Sequence, residues 1–356
     1  RMSPCSSPQG GFLRIAASPQ ALLRITAALA AVVLLAGCET LAYYFQAVGG
    51  QMSLMARAQP VETLLNDPAT PQPLRERLEL ARGIRNYSVR ELKLPDNTSY
   101  RSYAQLDRPY AVWNVVAAPE FSLEPVQSCF PVAGCVSYRG FFSQGGAERH
   151  AADLRAQGLD VHVYGVAAYS TLGRFDDPLL STFIRYPDAD LARLIFHELS
   201  HQIVYVKDDS TFNESFAVVV EREGVRRWLA ATGRGAALKV FSAAEEENRK
   251  FSGEIDQARA RLSLLYRQRI APEAMRERKR AEYAALKNAL QGSRRFGDAE
   301  PNNALLASFA TYTQLVSTFE YLLQEEGGDL EKFYRKVKTL AANEPSSRGP
   351  LSMPSR

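Results

Sequence analysis

The chain has 356 residues, of which 46% are hydrophobic and 23% charged, the composition of a globular protein able to bury a substantial core. Its 43 lysines and arginines stand against 39 acids, a net charge of +4, and Arg1, Arg14 and Arg24 all fall in an acid-free N-terminal stretch. The remainder is close to neutral, which argues against nucleic acid as a partner.

In chain order, the first feature is a leader. Arg14 and Arg24 precede an apolar run from Ile25 to Ala36 that ends in the lipobox Leu35-Ala36-Gly37-Cys38. That run is too short for a comfortable bilayer span, so a transmembrane anchor is the weaker reading, and residues 1–37 are expected to be a signal peptide. Cys38 then carries the lipid (palmitate), and the protein is an exported lipoprotein tethered to a membrane of the cell envelope. Glu39 follows, not an aspartate, and resemblance to sorted lipoproteins implies the outer membrane, facing the periplasm, if the organism has two.

Next, Leu41 to Arg57 and Leu74 to Tyr87 read as helices. Tyr100 to Leu106, Tyr110 to Ala117, Val136 to Phe142 and Val161 to Ala168 have the β-branched and aromatic density of a mixed or antiparallel sheet, with a helix from about Gly146 to Gln157. Tyr164 to Thr171 is a candidate edge for pairing with an extended peptide, with an interior strand as the equal alternative. Cys129 and Cys135 bracket a turn-like segment in an exported chain. A disulfide is expected; a second metal site has no further ligands nearby.

The run His197-Glu198-Leu199-Ser200-His201 follows, on a helix expected from about Asp188 to Val206. Residues four apart share one helix stripe, so both imidazoles can reach one ion, and Glu198 lies where a general base beside zinc is needed. Such a site wants a third protein ligand and an open position. In the second helix, expected from Thr211 to Trp228, the candidates are Glu214 and Glu221, with Asp208 and Asp209 in the loop before it. Thr211 to Glu214 also fits a capping box. Glu221, two turns beyond Glu214, suits a histidine's free N–H better than the ion itself. His150 and His162 read as ordinary packed or surface residues.

From Gly235 to about Gln291 the chain is rich in Ala, Glu, Arg, Lys and Leu, broken by Pro272, and reads as a charged helical hairpin. It is a solvated arm, a cap on the cleft or a contact for a protein partner. A polar loop from Gly297 to Ala304 leads into an apolar helix, Leu305 to Gln324. Asn302 and Asn303 are expected to cap it or shape the loop.

Asn213-Glu214-Ser215-Phe216-Ala217 resembles the Asn-Glu-x-x-Ser/Ala signature of gluzincin metallopeptidases. Together with the lipobox, the cysteine pair, the His-Glu-x-x-His run, the tyrosine-rich strand before it and the loop Asn302-Asn303-Ala304, the chain resembles the bacterial putative aminopeptidase family, from about Cys38 to Ala342. The resemblance implies an α+β, zincin-like peptidase with one catalytic Zn2+ held by His197, His201 and Glu214. It implies Glu198 as general base and a tyrosine as oxyanion donor, for which Tyr312 is the candidate; simple packing is that residue's other reading. Many gluzincins carry an aspartate four residues after the ligand glutamate, where this chain has Val218. Residues 38–234 are then the catalytic core, 235–291 the hairpin and 292–356 a helical segment on the core with a disordered tail. Peptides or unfolded chains are the expected substrates. The alternatives are a zinc-stabilised envelope scaffold or chaperone accessory, and an amidase on non-protein amides. No acidic pocket for a free amino terminus stands out among Glu124, Glu148, Asp176 and Asp177.

Overall fold

The structure, a computed structural model, describes residues 43–130, 134–293, 296 and 300–342. The leader and Cys38 lie outside them. The chain divides after Gly50: residues 43–50 of the first unit are helical, and everything below concerns the second, from Gln51 onward. Among the described residues no helix is long and apolar enough to cross a membrane.

Strand β1 (Ala58–Pro60) runs into helices α1 (Val61–Asn66) and α2 (Gln72–Arg90). Then come β2 (Ser102–Ala104), β3 (Val112–Ala118), β4 (Ser128–Phe130), β5 (Gly134–Val136), β6 (Arg139–Phe141), α3 (Gln144–Ala156), β7 (Asp160–Val166) and β8 (Leu179–Leu180). The rest is helical: α4 (Asp188–Ser200), α5 (Ser210–Ala231), α6 (Gly235–Tyr266), α7 (Pro272–Ala289), α8 (Asn303–Thr311), α9 (Val316–Glu325) and α10 (Leu330–Ala342). The fold is mixed α+β with a long helical hairpin, α6–α7.

Strands pair in the orders β1-β2-β8, β6-β3-β7 and β4-β5, antiparallel except for β2 with β8. Every residue of β3 is buried, so both faces of its sheet are covered. Val116 and Ala118 pack on Ala304 and Ala307 of α8. Alternation along the strand puts Asn114 on that same face, and the register sets it opposite Tyr164 of β7. Among the described residues β7 pairs only with β3 and is an edge strand, but it stops at Val166. Beyond it, the Ala167 carbonyl accepts from Thr182 Oγ1 at 2.6 Å, so the expected run to Thr171 does not continue as strand. Val136 to Phe142 likewise splits, β5 pairing with β4 and β6 with β3. Cys129 and Cys135 face each other across β4–β5 and form a disulfide.

Helix α4 forms because Leu191, Ile195 and Leu199 recur at helical spacing, and all three are fully buried with Ala192 and Phe196. It ends at Ser200, short of the expected Val206. The run Ile203 to Val206, β-branched but for Tyr205, resists helix, and the Asn213 side chain takes both polar backbone groups of Val206, at 2.7 and 2.8 Å. Helix α5 buries most of its first half and packs on α4, while its fully buried Phe216 meets the rings of Phe319 in α9 and Phe333 in α10. At Gly224 the approach is so close that a Cβ would sit 2.8 Å from the Phe196 ring and 2.7 Å from Leu92. Asp209 caps α5 by accepting from the Phe212 N–H at 2.9 Å, so Glu214 is not needed at the helix start.

The hairpin builds its own core. Ile255, Leu262 and Leu265 of α6 pack with Met275, Tyr283 and Leu286 of α7, and Leu305 and Leu306 of α8 complete the cluster. A polar clamp sits at its edge. Fully buried Asn303 donates to the Pro119 and Glu120 carbonyls, both at 2.9 Å, and accepts from the Tyr266 hydroxyl at 2.7 Å and from Tyr283. Lys279 reaches Asp160 at 2.7 Å, and Asn302 caps α8 by accepting from the Leu305 N–H. The hairpin is therefore packed on the core and not a solvated arm. The expected helix from Leu305 to Gln324 is broken at Tyr312, where Thr311 and Thr313 bond back to earlier carbonyls and the Leu315 N–H turns to Ser215 Oγ at 3.2 Å.

Candidate metal centre

His197 and Glu198 lie in the last turn of α4, and His201 is its C-terminal cap. One turn into α5, Glu214 points back at them. His197 Nε2 stands 3.1 Å from Glu214 Oε2 and 3.2 Å from His201 Nε2, and the remaining edge, His201 Nε2 to Glu214 Oε2, is 3.7 Å. Zinc bonds of about 2.0–2.1 Å at tetrahedral angles place neighbouring donors roughly 3.3 Å apart, so the three atoms fit the ligands of one such ion. Among the described residues they form the one His/Cys/Asp/Glu group able to hold a metal.

The outer contacts fit the same ion. His197 Nδ1 lies 2.8 Å from Glu221 Oε2, and a proton shared there leaves the Nε2 lone pair free to coordinate. Two buried Nε2 atoms facing each other cannot both carry hydrogen. His201 Nδ1 is buried and, among the described residues, has no hydrogen-bond partner.

Electrostatics point to a cation. Burial opposes a charged His197 ring, but its hydrogen bonds to Glu214 and Glu221 outweigh burial and push its pKa well up. Burial pushes Glu214 up too, yet His201 and His197 bring it below the ordinary carboxylate value. Burial raises Glu198 to about 8; His197 pulls it down, while Glu214, Asp177 and Glu221 push it up. Burial lowers His201 to about 4. Buried carboxylates thus converge on the two imidazoles, a concentration of negative charge that a divalent ion meets.

A groove of about 450 Å³ runs along α4 past Tyr186, Leu194 and Arg193 to His197 and Glu198, giving the centre access from solvent. Tyr312 stands at the break after α8, its ring centroid 6.4 Å from that of His197. It joins Tyr164, which is hydrogen-bonded to it and to Asn114 and raised by burial to about 12. Tyr138 and Tyr312 are both raised well above the usual value, by burial first and Glu214 second, and remain protonated donors. Sequence reasoning missed Tyr138 and Tyr164; strand register places Tyr164, and the bend between β5 and β6 carries Tyr138.

Three of the acids left open for a free amino terminus hold other partners. Asp177 is buried and bonds Thr171, Asp176 bonds Thr98, and Glu148 pairs with Arg155 at 4.0 Å. Asp208 accepts from the Cys135 N–H, away from the centre. His150 packs on Phe141, and His162 stacks on Tyr164 with its pKa lowered by burial to about 4.

A family model described as "Putative aminopeptidase" matches residues 42–350. The chain belongs to this family. No curated protein and no solved structure shows significant similarity to it. The match spans the helices that carry His197, His201 and Glu214, the sheet and the hairpin, so the whole arrangement belongs to one family unit.

Proposed function

We propose that the protein is a zinc-dependent, zincin-like peptidase in which His197, His201 and Glu214 hold the ion and Glu198 is the general base. The observation that carries this reading is the convergence of the three donor atoms at ligand spacing, with Glu221 against His197 and Glu198 lining the groove that leads there. Zinc supplies a Lewis acid that polarises a peptide carbonyl and the positive charge that keeps Glu198 ionised at neutral pH.

The chain's own groups do the rest. Glu198 takes a proton from the attacking water and passes it to the leaving amine. Tyr312, protonated and beside the His197 ring, donates to the developing oxyanion. Glu221 fixes the His197 tautomer. The groove along α4 admits an extended peptide, and its lining includes Asp190, two turns of helix from His197. On the leader's sequence features, the enzyme is tethered through lipid at Cys38 and meets peptides or unfolded chains near the envelope surface.

The test is zinc content of the purified protein, measured with hydrolysis of a mixed peptide library before and after chelation. Stoichiometric zinc and cleavage that is lost with chelator and restored by zinc support the reading. Stoichiometric zinc with no cleavage supports a scaffold in its place.

A further inference from the structure

The metal centre does not end at Glu221. The other oxygen of that carboxylate, Oε1, lies 3.8 Å from Arg193 Nε, too long for a hydrogen bond but within an ion pair. Arg193, one turn before His197 on α4, reaches Glu245 Oε1 of the hairpin at 2.6 Å, and its guanidinium lies over the Phe241 ring of the same helix, 5.4 Å from the centroid. Glu245 Oε2 meets Arg222 Nε at 2.6 Å, and Arg222 ends the chain on Glu320 at 3.2 Å. Charges alternate in sign along this path, from His197 to the surface.

The two inner carboxylates are the most buried members: the Glu320 side chain is 45% exposed, Arg193 25%, Arg222 18%, Glu221 12% and Glu245 11%. Glu245 stands in the run Glu245-Glu246-Glu247, which has the look of a solvated helix face, yet it alone of the three is buried. Its Oε1 also accepts from Asn248 at 3.1 Å. A buried carboxylate held between two arginines is costly unless each charge is matched, so removing one member leaves the others uncompensated.

We propose that Arg193 and Glu245 are positioning residues of the metal centre, through which the first helix of the hairpin holds Glu221 against His197. This rests on the zinc reading given above. Without Glu245, Arg193 loses its nearest anion and pairs closely with Glu221, drawing that carboxylate away from His197 Nδ1. The ligand imidazole then loses its fixed tautomer and orientation. Losing a partner that touches a ligand weakens metal binding by about 10- to 100-fold, so a group one step further out is expected to weaken it by about three- to tenfold.

The experiment measures the zinc affinity of the metal-free full-length protein by competition with a chelating indicator. The variants are Glu245→Gln, Arg193→Lys, Glu221→Gln, the pair Glu221→Gln/Glu245→Gln, and Glu246→Gln as the exposed control on the same helix. Glu245→Gln is expected to weaken zinc by about three- to tenfold with Arg193→Lys close behind, whereas Glu246→Gln leaves it unchanged. In the Glu221→Gln background the effect of Glu245→Gln should vanish, which a merely structural role would not produce. Arg193→Lys keeps the charge and preserves the test should Glu245→Gln fail to fold. Affinity within twofold of the parent for Glu245→Gln and Arg193→Lys overturns the proposal, as does full additivity with Glu221→Gln. A parent protein that takes up no zinc overturns the metal centre and this inference together; a zinc-binding parent with unaffected variants overturns this inference alone.

Discussion

Asn303→Ala should detach the hairpin from the sheet at a cost that the structure allows to be worked out. The side chain is fully buried and makes four hydrogen bonds, two from tyrosine hydroxyls of the hairpin and two to the carbonyls of Pro119 and Glu120. At about 1 kcal/mol net for each, their loss costs about 4 kcal/mol. The buried Tyr283 hydroxyl left without its acceptor adds to this, and half-buried Tyr266 gives some back by turning to water. The expected loss is about 3–5 kcal/mol, against about 0.5 kcal/mol for a substitution on a solvated arm. Urea unfolding followed by far-UV circular dichroism reads it as a drop in midpoint at unchanged slope. Tyr283→Phe, which removes one hydroxyl, should cost about 1 kcal/mol and serves if the alanine variant does not fold. A loss below about 1 kcal/mol for Asn303→Ala refutes the clamp and with it the packed hairpin.

Other outcomes follow from the same geometry. Tyr312→Phe should lower kcat by about 100-fold with KM and zinc content little changed, since the hydroxyl acts on charge that develops only in the transition state; a kcat within threefold of the parent assigns Tyr312 to packing. Zinc at about 100 times its Kd should stabilise the fold by about 2.7 kcal/mol, read as a rise in Tm over the chelated protein, and an unchanged Tm contradicts a site formed by folding. Burial raises the Asp177 pKa from 3.8 to about 6 in the fold. Its folded state therefore holds a proton that the unfolded chain has lost, so this group's stabilisation is full below pH 3.8 and lost as pH rises through 6, at most about 3 kcal/mol. Asp177→Asn keeps one of the two acceptor oxygens that Thr171 uses, cannot titrate, and should flatten the stability profile across that window; a profile parallel to the parent's would dismiss the shift.

What the sequence shows and what it hides divide along physical lines. His197 and His201 are legible because a helix makes positions four apart neighbours, whatever surrounds it. Leu191, Ile195 and Leu199 mark the buried stripe in the same way. Glu214 is harder, since Thr211 and Glu214 also fit a helix cap, and only the structure gives the cap to Asp209. Tyr138 and Tyr164 are not legible, because Tyr164 depends on which strands pair and in which register, and Tyr138 on the bend that joins two of them. Nothing local sets Tyr164 opposite Asn114. The break at Tyr312 hides inside a continuous apolar run, as it is made by a distant acceptor, Ser215 Oγ. Glu245 hides for the converse reason: its neighbours are charged, and only the packing of α6 on α4 and α5 turns it inward.

Glu198 is the residue on which the proposed chemistry turns. Its buried carboxylate feels the charges of His197 and Glu214 without being one of the three donors, so Glu198→Gln should leave zinc stoichiometry intact and remove the base. Measured together on one preparation, zinc content should match the parent protein while peptide turnover falls by about a hundredfold or more. A Glu198→Gln protein that keeps both its zinc and full peptidase activity contradicts the mechanism.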